Sequence, residues 1–422
     1  MNRKFKIISA LVLALILCLS SVAVTLAEGE PEGAKGKPGT PDEPAQAAIT
    51  KHLKVPVGTI IPDLSYTFTI KPLYVVDSTN LPPSLNGGSN QFSLGFDAAF
   101  AASATPDANG ILNLKKQTGD IFAGIKWPHA GVYVYELEED KTTNSDLDPL
   151  HHFLTFSKAK YELYVYVMEG ENENRDTTFF IYAIGALIVV GEDGENNNIE
   201  KVDPNPGTPG VDNTYSKMAF VNTYMKVHGP TDPENPDTED PDGQNSTLAV
   251  SKAISGDFAS GDASFPFTIS ITTPIIDTTE GKSFKGYVLE GSKIIQEIIV
   301  ASGATDPTPF TLKAGQKLVF FNTPVGASYT VTELATAYKP GYVINGTGGE
   351  SKTTSNVILS TGNQYVVDEE TGSVVAYTNT RDDITPTGLN LNDLPFIGMI
   401  ALALLGTMGY IIVKANKRKS YN

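Results

Sequence analysis

Lysine, glutamate and asparagine recur in the same order in two parts of this chain, and together these residue types could join two strands covalently. The members are, in chain order, Lys51, Glu139 and Asn222 in the first series and Lys252, Glu333 and Asn379 in the second. Each lysine stands in an apolar segment, ITKHL or VSKAI. Each glutamate ends an alternating segment, GVYVYELEE or GASYTVTE, and each asparagine lies in a segment that reads FVNT or YTNT.

A buried lysine beside a buried asparagine and a buried carboxyl group can form an amide between side chains. Burial lowers the pKa of the lysine toward the neutral amine and raises the pKa of the glutamate toward the acid. The amine attacks the asparagine carbonyl, while the acid donates to the developing oxyanion and shuttles protons until ammonia leaves. Folding supplies the proximity. The reaction runs once per domain, so the chain is not predicted to be an enzyme with a diffusible substrate.

Each of these residues also has an ordinary interpretation. A strand lysine usually extends its amine to water, a glutamate after a strand is usually solvated, and an asparagine near a strand end usually belongs to a turn. Two copies in one order, in a chain whose single cysteine is Cys18, favour the covalent interpretation. A secreted protein without disulfides lacks the usual covalent staple of the oxidising exterior.

Strands joined by turns must position these residues. Alternating segments rich in β-branched and aromatic residues lie at 66–70, 133–137, 161–167, 265–271 and 329–331. With a period of two, Glu139 shares a strand face with Tyr135 and Leu137, and Glu333 shares one with Tyr329 and Val331. The content of 38 Gly, 27 Pro and 18 Tyr also favours strands over helices. We therefore expect an all-β protein.

The two ends of the chain indicate export. Residues 1–27 have the basic start, apolar run and small-residue end of a secretory signal peptide, which is predicted to be cleaved after Ala27. Residues 394–413 carry no charge and precede a basic tail, as in a membrane-spanning helix whose tail stays cytoplasmic. We expect an extracellular protein held at the plasma membrane by this C-terminal helix.

Composition divides the remainder into two blocks. A length of 422 residues suits two or three domains. Segment 28–46 predicts a flexible leader and segment 229–246 an acidic, proline-rich linker, because both have little apolar content. The domains are then predicted at 47–228 and 247–383, and a C-terminal sorting region at 384–422.

Several classes of function are disfavoured by composition and motif. A net charge of −17 would repel nucleic acid. The five histidines have no metal-ligand spacing, and neither a G-x-S-x-G motif nor a phosphate-binding glycine loop is present. No metal, cofactor or nucleic-acid partner is expected.

Both blocks resemble the streptococcal pilin isopeptide-linkage domain, which is found in sortase-assembled pilus subunits of Gram-positive bacteria. The second block carries the resemblance in LAVSKAISG, FTLKAGQKLVFFNTPVGASYTVTE and AYTNT, and the more divergent first block carries it in ITKHL, GVYVYELEE and FVNTY. The resemblance implies tandem immunoglobulin-like β-sandwiches, each with an acid-assisted Lys–Asn isopeptide bond. Carried over by motif, the bonds join Lys51 to Asn222 with Glu139, and Lys252 to Asn379 with Glu333.

The acid of the first domain is left partly open by the motif. Glu136 and Glu138 stand close enough to Glu139 to compete for the assignment. Strand alternation favours Glu139 over Glu138, because only Glu139 falls on the apolar face.

The segment ITPTG ahead of the C-terminal span resembles a sortase motif, with Pro386, Thr387 and Gly388 at its end. It departs from the common form in having Thr385 where leucine is usual. The resemblance implies a pilus-class sortase as partner, which cuts between Thr387 and Gly388 and makes the span a temporary stop. The other interpretation is a permanent single-span anchor.

A polymerising subunit also needs an acceptor lysine. In the family this lysine lies just ahead of the last strand of the N-terminal domain, a position that Lys217 fits best and Lys201 second. The predicted function is therefore a cell-surface pilus subunit joined to other subunits or to peptidoglycan. The alternative is a surface-anchored adhesin or minor pilus subunit that binds a host ligand without polymerising. A secreted enzyme is disfavoured by the lack of a catalytic constellation.

Overall fold

The protein is described here by a computed structural model, which covers residues 38–195, 200–208, 214–227, 246–278, 281–345, 351–354, 358–368, 372–382 and 394–419. The predicted signal peptide at 1–27 lies outside the described residues, as do most of the leader and nearly all of the linker. The same holds for the motif residues Pro386, Thr387 and Gly388.

The N-terminal part folds into a β-sandwich of two sheets. Its elements are β1 (Thr50–Pro56), β2 (Leu64–Val75), β3 (Gln91–Phe96), α1 (Ala98–Ala102), β4 (Ile111–Gln117), β5 (Gly131–Glu139), β6 (His152–Thr155), β7 (Lys160–Glu171), β8 (Thr177–Val190), β9 (Glu200–Val202) and β10 (Ala219–Lys226). One sheet has the order β4-β1-β10-β6 and the other β3-β2-β5-β7-β8-β9. A 3₁₀ turn at Asn86–Gly88 precedes β3.

The C-terminal part forms a second β-sandwich. Its strands are β11 (Leu248–Ser255), β12 (Ser264–Thr272), β13 (Ser283–Glu290), β14 (Lys293–Ala301), β15 (Thr308–Lys313), β16 (Gln316–Phe320), β17 (Ser328–Glu333), β18 (Lys339–Asn345), β19 (Ser351–Thr353), β20 (Leu359–Ser360), β21 (Gln364–Tyr365) and β22 (Ser373–Thr380). The sheets have the orders β14-β13-β16-β11-β22-β18-β19 and β15-β12-β17-β20, with β21 paired to β17. The expectation of an all-β protein with two tandem sandwiches is confirmed.

Alternating side chains build the two cores. On β5, Tyr133, Tyr135 and Leu137 are fully buried, and the pattern continues to Glu139 at the end of the strand. On β17 the inward residues are Tyr329, Val331 and Glu333, whereas the residues between them are half-buried. Period-two patterning therefore carries one carboxyl group into each core, as the sequence predicted.

The first and last strands of each sandwich are neighbours and run parallel. Strand β1 pairs with β10, and β11 pairs with β22. These strands are far apart along the chain, so each sandwich is closed by a contact between its two ends. A bond between them would enclose nearly the whole domain.

The two sandwiches meet at a polar junction around Asp368, which is buried. Its carboxylate accepts hydrogen bonds from Lys226 Nζ at 2.8 Å and from the Ile60 backbone N–H at 2.8 Å. Its own N–H donates to Gly58 O, and Val325 N donates to Lys226 O. The end of β10 thus docks directly on the second sandwich.

The segment for which a membrane span is predicted, 394–413, lies within the C-terminal helix α2 (Leu394–Lys419). Several side chains of this helix are outside the description. In the part of the chain that can be assessed, no helix is both long enough and apolar enough to cross a membrane. The predicted membrane anchor is therefore not supported by the structure.

Candidate functional site

Strand register brings each lysine close to its asparagine. On the parallel pair β1 and β10, Lys51 lies opposite Phe220 and Leu53 lies opposite Asn222. The asparagine is thus displaced from the lysine by two residues, and the period of two keeps both on one face. Both side chains are fully buried between the sheets.

The second sandwich repeats this register. On β11 and β22, Lys252 lies opposite Tyr377 and Ile254 lies opposite Asn379, which is the same displacement of two residues. Lys252 and Asn379 are both buried.

The glutamates come from the facing sheets at equivalent positions. Glu139 on β5 is paired with Phe68 on β2, and Glu333 on β17 is paired with Phe267 on β12. The order Lys, Glu, Asn in the sequence therefore corresponds to one three-strand arrangement built twice.

In the first cluster, one carboxylate oxygen contacts both nitrogens. Lys51 Nζ lies 2.6 Å from Glu139 Oε1, and Asn222 Nδ2 donates to the same oxygen at 3.0 Å. Oxygen Oε1 is therefore placed to move a proton between the attacking and the leaving nitrogen.

Two further residues complete the first cluster, and the sequence analysis did not identify them. The backbone N–H of Ser157 donates to Asn222 Oδ1 at 2.7 Å and to Glu139 Oε2 at 3.2 Å. Glu192 accepts from Ser157 Oγ at 2.8 Å and from the Val221 N–H at 2.8 Å. Neither residue belongs to a motif; the polar side chain of Ser157 two residues after the end of β6 was the sole local signal.

The second cluster has the same lysine, glutamate and asparagine, with a longer Lys–Glu distance and a shorter Asn–Glu hydrogen bond. Asn379 Nδ2 donates to Glu333 Oε1 at 2.5 Å, while Lys252 Nζ lies 3.8 Å from Glu333 Oε2. The lysine amine donates to Ala253 O at 3.2 Å. Among the described residues, Asn379 Oδ1 and Glu333 Oε2 have no hydrogen-bond partner.

Aromatic rings surround both lysine amines. Lys51 Nζ lies 4.5 Å from the centroid of the Tyr66 ring, and Lys252 Nζ lies 4.2 Å from that of Phe265. These rings occupy equivalent positions, two residues before Phe68 and Phe267 on β2 and β12. They exclude water from the amine, which is a condition for its reactivity as a neutral nucleophile.

Burial moves the pKa of the lysine and of the glutamate toward the neutral forms. Loss of solvation lowers the pKa of Lys51 to about 8, and the nearby Glu139 carboxylate offsets part of that effect. Burial likewise lowers the pKa of Lys252 to about 8, against the opposing effect of Glu333. The pKa values of Glu139 and Glu333 are raised by burial, with the lysines acting in the opposite direction.

The competing glutamates point elsewhere. Glu138 is half exposed, with its carboxylate 2.5 Å from Lys160 Nζ. Glu136 lies opposite Glu162 on the outward register of β5 and β7. Of the three acids that the sequence left in competition, only Glu139 contacts Lys51 and Asn222 in the described residues.

The acceptor candidates lie apart from the clusters. Lys217 is exposed and lies two residues before the start of β10, and its backbone N–H donates to Asp203 O at 2.8 Å. Lys201 is exposed on the edge strand β9. Both side chains are accessible to a second macromolecule.

Comparison with known proteins finds that the chain is similar in sequence to a pilin. A curated protein named Pilin, from Streptococcus pyogenes serotype M1, is 23% identical over 406 residues, which are 94% of this chain and 96% of that protein. A family model described as a domain of unknown function, DUF7601, matches residues 246–381.

Solved structures of streptococcal pilins are also similar to this chain. The major pilin from Streptococcus pyogenes is 18% identical and covers 80% of this chain and 99% of its own, with a TM-score of 0.31. The major pilin T3.2 from the same species is also 18% identical, with the same two coverages and a TM-score of 0.30. The sequence similarity over nearly the whole chain agrees with the resemblance expected from the motifs: this chain is similar to a streptococcal pilin.

Proposed function

We propose that this chain is a cell-surface pilus subunit whose two domains each form an intramolecular Lys–Asn isopeptide bond. The observation that carries the proposal is the repetition of one buried cluster, with the same strand register, in both sandwiches. An ordinary structural ion pair would not require a buried asparagine beside it at the same displacement in each copy.

The contacts support amide formation in the first domain between Lys51 and Asn222, and in the second between Lys252 and Asn379. The pKa shifts favour a neutral amine and a protonated acid, the forms needed for attack and for departure of ammonia. Amide formation would remove the lysine charge from the core. It would thereby remove the penalty for one buried ion, which is on the order of several kcal/mol.

A bond between the first and last strands would serve a mechanical purpose. Tension applied at the two ends of a sandwich would act on a covalent link instead of separating hydrogen-bonded strands. By the loop-closure argument developed for disulfides, a crosslink that encloses a loop of this size stabilises the domain by about 5 kcal/mol. That contribution replaces the disulfides that the chain lacks.

Assembly is proposed to run through the C-terminal motif. A pilus-class sortase would cut between Thr387 and Gly388, after Pro386, and pass the threonine carbonyl to an amine on the next subunit or on peptidoglycan. Lys217 is the proposed acceptor, since it is exposed and lies just ahead of the last strand of the first sandwich, which begins at Ala219.

Replacing the acids should block the bonds one domain at a time. Glu139→Ala should abolish the Lys51–Asn222 link and leave Lys252–Asn379 intact, and Glu333→Ala should do the reverse, because each acid serves one cluster. Tandem mass spectrometry of tryptic peptides distinguishes the two links. Glu138→Ala is the matched control, since this neighbour lies on the outward face. Full crosslinking in Glu139→Ala or Glu333→Ala would disprove the assigned roles.

The rate of bond formation should have a bell-shaped dependence on pH. The reactive state, in which the lysine is neutral and the glutamate is protonated, carries one titratable proton. The form present in acid, with a charged lysine and a protonated glutamate, carries two such protons, and the fully deprotonated form carries none. The rate should therefore fall above about pH 8, where the lysine pKa lies, and fall again on the acid side. Chain purified unfolded from inclusion bodies and diluted into buffers of different pH would give the rates by mass spectrometry. A rate that rises continuously to pH 11 would contradict this account.

Lys217→Ala should abolish the ladder of covalent multimers formed when the chain is produced together with its sortase. Lys201→Ala is the matched comparison: Lys201 is exposed on the same sandwich and is the second candidate, so this variant should keep the ladder if Lys217 is the acceptor. The readout is a denaturing gel probed for this chain. An unchanged ladder in Lys217→Ala would overturn the acceptor assignment. A wild-type chain that forms no multimers at all, while still carrying both bonds, would favour the non-polymerising surface adhesin.

A further inference from the structure

The link between β6 and β7, residues 156–159, brings a backbone donor into the first cluster. Ser157 is buried, and its N–H lies 2.7 Å from Asn222 Oδ1. Because a backbone N–H can only donate, this contact fixes which end of the asparagine amide is the oxygen. The other end, Nδ2, is thereby directed at Glu139 Oε1, 3.0 Å away.

The position of this donor is held by a second carboxylate. Glu192, in the turn after β8, accepts from Ser157 Oγ with both oxygens at 2.8 Å. Its Oε1 also accepts from the N–H of Val221, the residue before Asn222. Ser157 Oγ in turn accepts from Ala159 N at 3.1 Å. The donor and the asparagine are therefore tied to the same carboxylate.

Charge develops at Asn222 Oδ1 when the lysine attacks. The contacts of Glu139 Oε1 are with the two nitrogens, Lys51 Nζ and Asn222 Nδ2, so this oxygen is engaged in proton transfer. The oxygen that becomes the oxyanion faces the Ser157 N–H instead. A fixed donor that points at developing charge in a dry site is among the most effective catalytic devices in proteins.

We propose that the backbone N–H of Ser157 is the oxyanion donor for bond formation in the first domain, and that Glu192 is its positioning residue. The inference rests on the proposed isopeptide chemistry and names a group that the acid-assisted scheme does not contain. It differs from that scheme in assigning the oxyanion to the backbone and the protons to Glu139.

The reaction balances with the groups in place. The lone pair of neutral Lys51 Nζ forms a bond to Asn222 Cγ, and the carbonyl π electrons move to Oδ1, which the Ser157 N–H stabilises. Glu139 gives its proton to Nδ2 and receives one from Nζ, so the acid is regenerated. The carbonyl re-forms, the Cγ–Nδ2 bond breaks, and ammonia leaves.

Bond formation in the second domain provides an internal reference rate for the test. Glu138, the residue before Glu139, lies opposite Lys160, and Thr332, the residue before Glu333, lies opposite Ser360. Ser157 is three residues before Lys160, so its equivalent in the second domain is position 357, three residues before Ser360. That position lies outside the described residues, and no donor is assigned there. Because the clusters are in separate sandwiches, a change at Ser157 should leave formation of the Lys252–Asn379 bond unchanged.

The direct test replaces the N–H by an oxygen. The full chain is made by cell-free translation with serine at position 157, and as the matched ester in which residue 157 is supplied as glyceric acid, the α-hydroxy analogue of serine that keeps the Oγ contact with Glu192. The two products differ only at this N–H. Samples refolded from denaturant are quenched over time, and crosslinked peptides of both domains are quantified. The ester should form the Lys51–Asn222 bond about 10²-fold more slowly than the amide, the usual effect of losing one oxyanion donor.

Equal rates for ester and amide, within about twofold, would overturn the inference and leave the proposed function standing. Absence of the Lys51–Asn222 bond in the folded wild-type chain would instead defeat the proposed function itself. Folding of the first domain is followed by the fluorescence of Trp127, the single tryptophan, which is buried in its core.

A side-chain pair tests the positioning residue without altering the backbone. Glu192→Ala should slow the first bond about tenfold, as expected for losing hydrogen bonds to a charged group. Glu192→Gln keeps an acceptor oxygen and should recover most of the rate. A residue with a merely structural role would change the Trp127 folding signal instead, with no difference in bond formation between Ala and Gln once folding is complete. That result would remove Glu192 from the proposal.

Discussion

Both domains are organised around one buried arrangement, in which a lysine amine is held in a dry core next to a carboxyl group and an amide on a parallel neighbouring strand. In water this amine would be charged and unreactive, and the enclosing sandwich lowers its pKa to about 8 in both domains. Such burial is costly, and removing either partner of a buried ion pair usually destabilises a protein strongly. The proposed covalent amide would remove the charge, so folding and bond formation would favour the same end state.

Parallel pairing of the first and last strands makes this arrangement consequential. An antiparallel hairpin joins residues that are already close along the chain, and a bond across it would restrict little. Strands β1 and β10 bring together residues from opposite ends of a domain, as do β11 and β22. The hydrogen bonds of Asp368 connect the end of β10 to the second sandwich, so under the proposed function tension on one domain would pass to the next through this junction.

Much of this organisation could be predicted from the sequence, because it rests on alternation and repetition. The period of two placed Glu139 and Glu333 on apolar faces, and the ordered repeat linked each to its lysine and asparagine. Alternation also separated Glu139 from Glu138, which the structure places beside Lys160. Ser157 and Glu192 could not be found in this way, because a backbone N–H in a loop has no sequence signature. Their contacts depend on how the link between β6 and β7, the turn after β8 and strand β10 pack together. The Asp368 junction was missed for the same reason.

The intact mass of the recombinant segment 28–383 would show whether both isopeptide bonds form. If both bonds form, the mass should be lower than that of the sequence by two ammonia molecules, and peptides should join Lys51 to Asn222 and Lys252 to Asn379. A mass equal to that of the sequence, in a folded protein, would contradict the proposed bonds, because the clusters would then be buried polar networks with no covalent chemistry.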